Sequence, residues 1–339
     1  MKKFLLIFLL LTVSAISGCS ESNIIPKNSN SGDPQKIRLV ITTSGADGGI
    51  DTLTALKIAE LVEKDSGGKI KIEVYPNDKL AGGNTTKDVE ELANGSVDFA
   101  IFPSGTYSAI DPGMAVATIP WIFSTYRDAR KVIDETGGKY YEKILAKKGI
   151  VYLGSFHNGF RQIANNVRPI RMPEDFTDLK IRILGNRDTL HFFRMFNAVP
   201  VPMSTGELID AMNKGSIDGH DIGLFQAYSR NLNNVEKYLT IWNYSYENYI
   251  IAATGKTFYQ LDGDTQKLIR EKVIQACEMS RNTIERSERE IKMKTAASGV
   301  EIIELTPEEL QPFKDRARPL IEKLKEDYGE DACRAFNIK

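Results

Sequence analysis

The sequence predicts an α/β protein built from two similar domains, and three observations predict it. Short apolar strands alternate with amphipathic helices along most of the chain, the order that yields largely parallel sheets. The segment Leu92-Ala93-Asn94-Gly95-Ser96-Val97-Asp98 returns as Met212-Asn213-Lys214-Gly215-Ser216-Ile217-Asp218, each copy a helix end, a glycine and a strand start. The chain has 339 residues, enough for about two domains, each with its own core.

In order, Ile37 to Thr42 is a short apolar strand. Thr52 to Lys64 places Leu53, Leu56, Ala59 and Val62 on one wide stripe and meets Gly67-Gly68, which predicts a helix with a glycine stop. Lys69 to Val74 alternates strictly, with Ile70, Ile72 and Val74 on one face. Asp88 to Ala93 is helical up to Asn94-Gly95, and Val97 to Phe102 is a buried strand. Helices around Tyr126 to Glu135 and Lys139 to Lys147 precede strands at Ile150 to Phe156 and Lys180 to Leu184. Ser204-x-x-Glu207 is a capping box opening a helix through Lys214. From Asp264 to Ala297 there is no Pro or Gly, while Leu268, Ile269, Val273, Ile274, Cys277, Ile284 and Ile291 form an intermittent stripe. That reads either as one helix of about 50 Å crossing both domains, or as two helices breaking near Ser280.

Composition narrows the class. Lys and Arg number 44 against 45 Asp and Glu, with 42 % hydrophobic residues, which excludes a disordered chain and a multi-span membrane protein. The near-neutral charge argues against nucleic acid as a partner, which needs a basic face. The first residues predict export. Lys2 and Lys3 precede an apolar run, Phe4 to Val13, too short to span a bilayer but suited to a signal peptide. Ile16-Ser17-Gly18-Cys19 resembles a bacterial lipobox, which makes Cys19 the lipidated first residue of the mature protein; the alternative is an ordinary signal with an incidental cysteine. Residues 1–18 are then the leader and 19–35 a flexible tether. Cys277 and Cys333 are left either to bridge or to stay as buried thiols.

Catalytic and cofactor motifs are absent. The three histidines, His157, His191 and His220, form no HExxH, and there is no GxSxG, CxxC or GxGxxG. Gly255-Lys256-Thr257 lacks the first glycine of a phosphate loop and reads as a strand-end turn. His220-Asp221 is no acid–base pair, because neighbours on a strand point to opposite faces. No cofactor or metal is predicted. What remains is arginine. Arg161 follows Gly159-Phe160 just after a strand, and Arg182 sits inside the apolar strand Lys180-Ile181-Arg182-Ile183-Leu184. A buried guanidinium needs an anion, either a ligand carboxylate or an internal acid such as Asp218 or Asp221.

The blocks Gly159-Phe160-Arg161, Arg168-Pro169-Ile170, Met172-Pro173-Glu174-Asp175, Lys180-Ile181-Arg182-Ile183, Ala198-Val199-Pro200-Val201-Pro202-Met203 and Gly215-Ser216-Ile217-Asp218-Gly219 occur in this order. Together with Ile119-Pro120-Trp121-Ile122-Phe123 upstream, they resemble the solute-binding proteins of TRAP transporters, the DctP-type family. The resemblance implies a periplasmic-binding-protein-like fold with interleaved domains, a ligand cleft between them and a long helix spanning both. Domain I is then 36–158 plus 247–285, and domain II is 159–246 plus 286–339. It implies capture of a small organic acid by domain closure and delivery to TRAP integral-membrane permease subunits. The protein is then extracytoplasmic, lipid-anchored to the outer face of a bacterial cell membrane or periplasmic. Arg182 is then the main carboxylate clamp and Arg161 its assistant, with hinges near Phe156 to Phe160, near Tyr246 and in the long helix.

Departures from the family pattern mark a rebuilt site. The chain reads Asp218-Gly219-His220-Asp221-Ile222, with Ile222 where the family has a ligand-contacting Asn, and Gly83-Asn84-Thr85-Thr86 replaces a Gly-Ser-Glu-Arg block. His220, Asp221 and Thr205 are expected at the wall, with Asn84 and Thr85 opposite and Tyr107 and Tyr244 as apolar lining. Asp221 either accepts bonds from a ligand or pairs with Arg182. Two rival functions are the binding lipoprotein of an ATP-driven importer and an extracytoplasmic enzyme using His220-Asp221.

Overall fold

The computed structural model describes residues 36–204 and 206–339; the leader, the tether, Cys19 and Thr205 lie outside the described residues. Strands β1 (Ile37–Thr43), β2 (Ile70–Tyr75) and β3 (Phe99–Pro103) alternate with helices α1 (Ile50–Asp65) and α2 (Thr85–Asn94). β1 pairs in parallel with both neighbours, giving the order β2-β1-β3. Helices α3 (Tyr126–Val132) and α4 (Gly138–Ala146) are joined by a π turn, Ile133–Gly137, into one continuous helical stretch where two separate helices were expected.

After the long strand β4 (Ile150–Asn165), the first arrangement repeats. Strands β5 (Lys180–Ile183), β6 (Val199–Pro202) and β7 (Gly219–Gly223) alternate with α5 (Arg187–Arg194) and α6 (Leu208–Asn213), and β5 pairs in parallel with both β6 and β7. The order β6-β5-β7 mirrors β2-β1-β3. The sequence echo lies just before the third strand of each trio, and it does the same work twice. Gly95 (φ 82°) and Gly215 (φ 64°) end their helices in the left-handed region, and the next N–H closes back on Glu91 and Ala211. Asp98 Oδ2 then accepts from the Val40 N–H at 2.9 Å, and Asp218 Oδ2 from the Lys180 N–H at 2.8 Å. Each carboxylate continues a parallel ladder one residue before its strand begins to pair.

The expectation of largely parallel pairing holds within each trio and fails between them. α7 (Leu224–Ser229) follows β7, then β8 (Tyr238–Ile241) and β9 (Tyr246–Thr254). β9 runs antiparallel to β3 and β4, and β4 antiparallel to β7 and β8, so the sheet is mixed. The long strands reverse direction because they carry the chain from one trio to the other. The path β2-β1-β3-β9-β4-β7-β5-β6 is thus continuous. The first part of β4 pairs with β9 up to Phe160, and from Arg161 onward with β7. Arg161 therefore lies inside a strand, not after one. The β4–β9 register shifts between Tyr152 and Gly154 and again between His157 and Gly159, the second within Phe156 to Phe160, the stretch named above as a hinge. Gly159 has φ 119°, and a Cβ there would sit 3.0 Å from the Tyr126 hydroxyl, so only glycine fits. The buried His157 ring beside it bridges the Tyr246 hydroxyl (2.7 Å) and Glu285 (3.1 Å); burial, then Arg281 and Arg130, push its pKa down to about 3, so it is neutral.

Short α8 (Gly255–Phe258) ends β9, so Gly255-Lys256-Thr257 is indeed a strand-end turn. The long segment is one unbroken helix, α9 (Gly263–Ala297), capped by Asp262; Ser280, where a break was considered, hydrogen-bonds Thr54 of α1 at 2.6 Å. Ile269, Val273 and Cys277 pack in the core of the first trio, while Ile291 packs under β8. β10 (Glu301–Glu304) pairs with β8, and α10 (Pro307–Ala335) places Phe313 in an aromatic core with Phe176, Phe196 and Trp242. Two helix faces differ from expectation. Leu53, Leu56 and Ile274 are exposed; α1 buries Asp51, Thr54, Ile58 and Leu61 instead, with Asp51 bonding the turn after β1 and Thr54 bonding Ser280 of α9. The capping box at Ser204 closes only through Glu207, and its helix starts at Leu208 and stops at Asn213. Cys277 is buried, Cys333 half-buried, and both are free thiols. Among the described residues no helix is long and apolar enough to cross a membrane.

Removing either ladder-extending carboxylate orphans one strand N–H. Asp98→Ala and Asp218→Ala are each expected to lower unfolding free energy by about 1 kcal/mol. The larger loss is expected at Asp98, which also accepts from Thr257 at 2.6 Å, and the two effects should add in denaturant titrations.

Candidate ligand cleft

In open α/β sheets, ligands settle beyond the carboxyl ends of the strands. Here those ends come from both trios. Ser44 after β1, Asn77 and Asp78 after β2 and Thr106 after β3 face Leu184 after β5 and Met203 after β6 across a cleft of ≈ 940 Å³. A smaller chamber of ≈ 30 Å³ adjoins it, walled by Asp78, Asn158, Arg161, Arg182, Gln226 and Arg230 among others.

The floor is set by two arginines with opposite electrostatics. Arg161 is buried at the point where β4 passes from β9 to β7. Its Nε donates to Asp221 Oδ2 at 2.8 Å, Nη1 to Glu247 Oε2 at 2.7 Å and Nη2 to the Asp221 carbonyl at 2.6 Å. Burial alone would lower its pKa, but Asp221 and Glu247 outweigh it and the net shift is upward. Arg182 is fully buried in β5. Its Nε donates to the Met203 carbonyl at 3.1 Å, and burial, then the Arg161 charge, push its pKa down to about 9. A ligand carboxylate beside Arg182 would relieve that cost, which an ion pair with Arg161 would not, since its donors are already committed to Asp221 and Glu247.

Three carboxyls stand at the facing wall, Asp78 lining the cleft and Asp51 and Asp88 buried behind it. Asp51 Oδ2 accepts from the Gly45 N–H at 2.6 Å and holds the turn after β1; a Cβ on Gly45 would collide with its carboxyl, and burial pushes the Asp51 pKa up to about 6. Thr85 donates to Asp78 at 2.6 Å and Thr42 to Asp88 at 3.0 Å, and the two carboxyls lie against each other. Burial, then the Asp78 charge, push Asp88 up to about 7, and burial raises Asp78 as well, so the pair keeps a proton well above the usual carboxylate range.

Of the residues expected at the site, Arg182, Arg161 and Thr85 line the chamber, and Asn84 lines the cleft while its side chain caps α2 through the Lys87 N–H. Asp221 sits beneath them as the partner of Arg161, which corrects the pairing with Arg182 considered above; toward Arg182 it presents its backbone carbonyl. Three residues are elsewhere. His220 points away and meets Glu236 at 3.0 Å, because alternate residues of β7 face opposite sides. Tyr107 is buried against Phe102, and Tyr244 stacks on Phe192 with ring centres 4.6 Å apart, so both are core. Thr205 lies outside the described residues. Sequence reasoning missed Asp78, Asn158, Gln226, Arg230 and Glu247. Glu247 alone left a signal, an acid in a strand that is otherwise mostly apolar and aromatic.

A two-trio α/β sheet, joined by crossing strands and holding buried guanidinium groups beneath an interlobe cleft, is the architecture of a ligand-capturing binding protein. Residues 42–327 match the family described as bacterial extracellular solute-binding protein, family 7 (DctP), and the chain belongs to that family. It is 27 % identical over 283 residues to the C4-dicarboxylate-binding protein DctB of Bacillus subtilis, covering 83 % of this chain and 80 % of that one. Among solved structures it is similar to the sugar acid binding protein DctPAm of Advenella mimigardefordensis, in complex with galactonate (25 % identity, TM-score 0.85, 90 % of this chain and 98 % of that one). It also resembles a TRAP periplasmic solute-binding protein from Ralstonia eutropha (22 % identity, TM-score 0.86, 89 % and 98 %).

Arg161→Met leaves Asp221 and Glu247 buried without their cation, and is expected to cost about 3–5 kcal/mol of stability in urea unfolding. Asp88 predicts a pH dependence. Its folded pKa of about 7 lies above the ordinary 3.8, so its contribution is complete below pH 4 and is lost as pH rises through 7. Asp88→Asn should flatten the fall in unfolding free energy measured between pH 5 and pH 8, leaving a smaller fall from the other carboxyls that burial raises, Asp51 and Asp78 among them.

Proposed function

We propose that the protein is the extracytoplasmic solute-binding component of a TRAP transporter, capturing a small organic acid between its two lobes and delivering it to the membrane permease. The observation that carries this reading is Arg182: a fully buried guanidinium, depressed in pKa, in the wall of the cleft chamber. Family membership supports it, as do a C4-dicarboxylate-binding relative and a structural neighbour holding galactonate. In this reading the ligand carboxylate meets Arg182, Arg161 holds the floor in shape, and closure excludes water, which strengthens the charge-assisted bonds. The lobes are domain I, 36–158 plus 247–285, and domain II, 159–246 plus 286–339, bending at the β4 register shifts and in α9. Binding needs no covalent step. Cys19 carries the lipid that tethers the folded part to the outer face of the membrane.

A thermal-shift screen against carboxylates tests the reading. A true ligand at about 100 times its Kd adds about 2.7 kcal/mol of stability, and Arg182→Leu is expected to abolish that gain while the unliganded variant still melts cooperatively. A hit whose shift survives Arg182→Leu unchanged sinks the clamp. Fatty-acid labelling of cells expressing the wild type and Cys19→Ser tests the anchor, with label expected on the wild type alone.

A further inference from the structure

The C-terminal helix does not end on the lobe where it begins. Its first part lies on the second trio: Phe313 sits in the aromatic core around Trp242, and Arg316 bonds Glu174. Gly329 then interrupts α10 at φ 80° and ψ 172°, a backbone open to glycine alone. Beyond the break the chain turns onto elements of the first lobe. Phe336 is 1 % exposed, and its ring centre lies 5.8 Å from that of Tyr140 and 5.4 Å from that of Tyr141 in α4. Tyr141 in turn lies against Tyr152 of β4. A Cβ on Gly137 would stand 3.0 Å from the Phe336 ring, and Thr136 bonds the Ala335 carbonyl, so the π turn is the seat of the chain's end.

The break is also moored to the cleft rim. Tyr328, one residue before it, donates to Asp188 Oδ2 at 2.5 Å, and Asp327 faces Arg187 at 3.6 Å. Burial, then the Asp188 charge, raises the Tyr328 pKa, so its hydroxyl stays a donor. Arg187 and Asp188 open α5, and Arg187 with its neighbour Asn186 lines the cleft. One short segment, 327–336, therefore grips the second lobe at the rim and the first lobe at the π turn. It is a further crossing besides β4, β9 and α9, and it differs from them in kind. No strand pairing and no unbroken helix stiffens it at Gly329, where an added Cβ would meet nothing within 4 Å. The angle of the bend is set by the backbone alone, as at a hinge.

Resting on the two-lobe reading above, the geometry points to residues 327–336 as a strap that limits how far the cleft opens, with Gly329 as its pivot. When the lobes part, the pull falls on Phe336 at one end and on Tyr328 at the other. While both grips hold, the α5 end of the rim stays tied to the first lobe.

Hydrogen exchange and small-angle X-ray scattering on the ligand-free protein test this. Gly329→Ala strains the pivot without removing any packed atom and leaves both grips in place. The amides of α5 and those of residues 133–141 are each expected to exchange about tenfold faster in it than in the wild type, and the radius of gyration is expected to rise. Phe336→Ala is read at α5 and Tyr328→Phe at residues 133–141, each at the end that the changed side chain does not touch. Coupling between two sites is reciprocal, so each variant should quicken that far end. Tyr328→Phe loses only a hydroxyl and carries the test if Phe336→Ala does not fold. Exchange that quickens only beside the substituted residue overturns the strap, and so does an unchanged radius of gyration in Gly329→Ala and Tyr328→Phe. With no ligand present, either failure leaves acid capture standing, which the carboxylate screen decides separately.

Discussion

The fold depends on one ion cluster, Arg161 with Asp221 and Glu247. These residues come from β4, β7 and β9, and Arg161 stands where β4 stops pairing with β9 and starts pairing with β7. A buried cation there fixes the register of three strands at once, because removing any member leaves an uncompensated charge out of water. The crossing between lobes is thus the most tightly specified point of the sheet. It is flanked by two register shifts and a glycine at φ 119°.

The division of labour between the arginines follows from the same cluster. Because Arg161 is matched by two acids, it shapes the floor and adds little net charge. Its remaining effect on Arg182 is repulsive, and together with burial it depresses the Arg182 pKa. A net charge near zero for the whole protein is no obstacle to binding an acid when one guanidinium is held out of water at the bottom of a cleft.

Each trio of parallel strands sends its carboxyl ends to the same cleft, so the internal repeat builds the two walls from one plan with different residues. The first wall has Asp78 and Thr85 with Asp51 and Asp88 buried behind them, and the second has Arg182, Gln226 and Arg230. The aromatic cluster around Trp242 braces the second trio. The Ile119–Phe123 segment, arriving from the first, lays Trp121 against Tyr244 and Phe192 at φ 55°, a strained backbone for an aromatic residue that packing holds in place.

What the sequence by itself determined was local and periodic: the strand and helix alternation, the glycine-ended helices of the repeat, the Pro- and Gly-free helical run near the C-terminus, and Arg182 inside an otherwise apolar strand. These are legible because a buried face imposes a period and a charge interrupts it. The tertiary structure decided what depends on distance through space. It gave Asp221 to Arg161, turned His220 toward Glu236, sent Tyr107 and Tyr244 into the core, exposed Leu53 and Leu56, and ran β4 and β9 against the parallel strands. It also brought Asp78, Asn158, Gln226, Arg230 and Glu247 into one site from segments up to 169 residues apart. No period or spacing encodes those partnerships, because hydrogen bonds and ion pairs are settled only when separate strands meet.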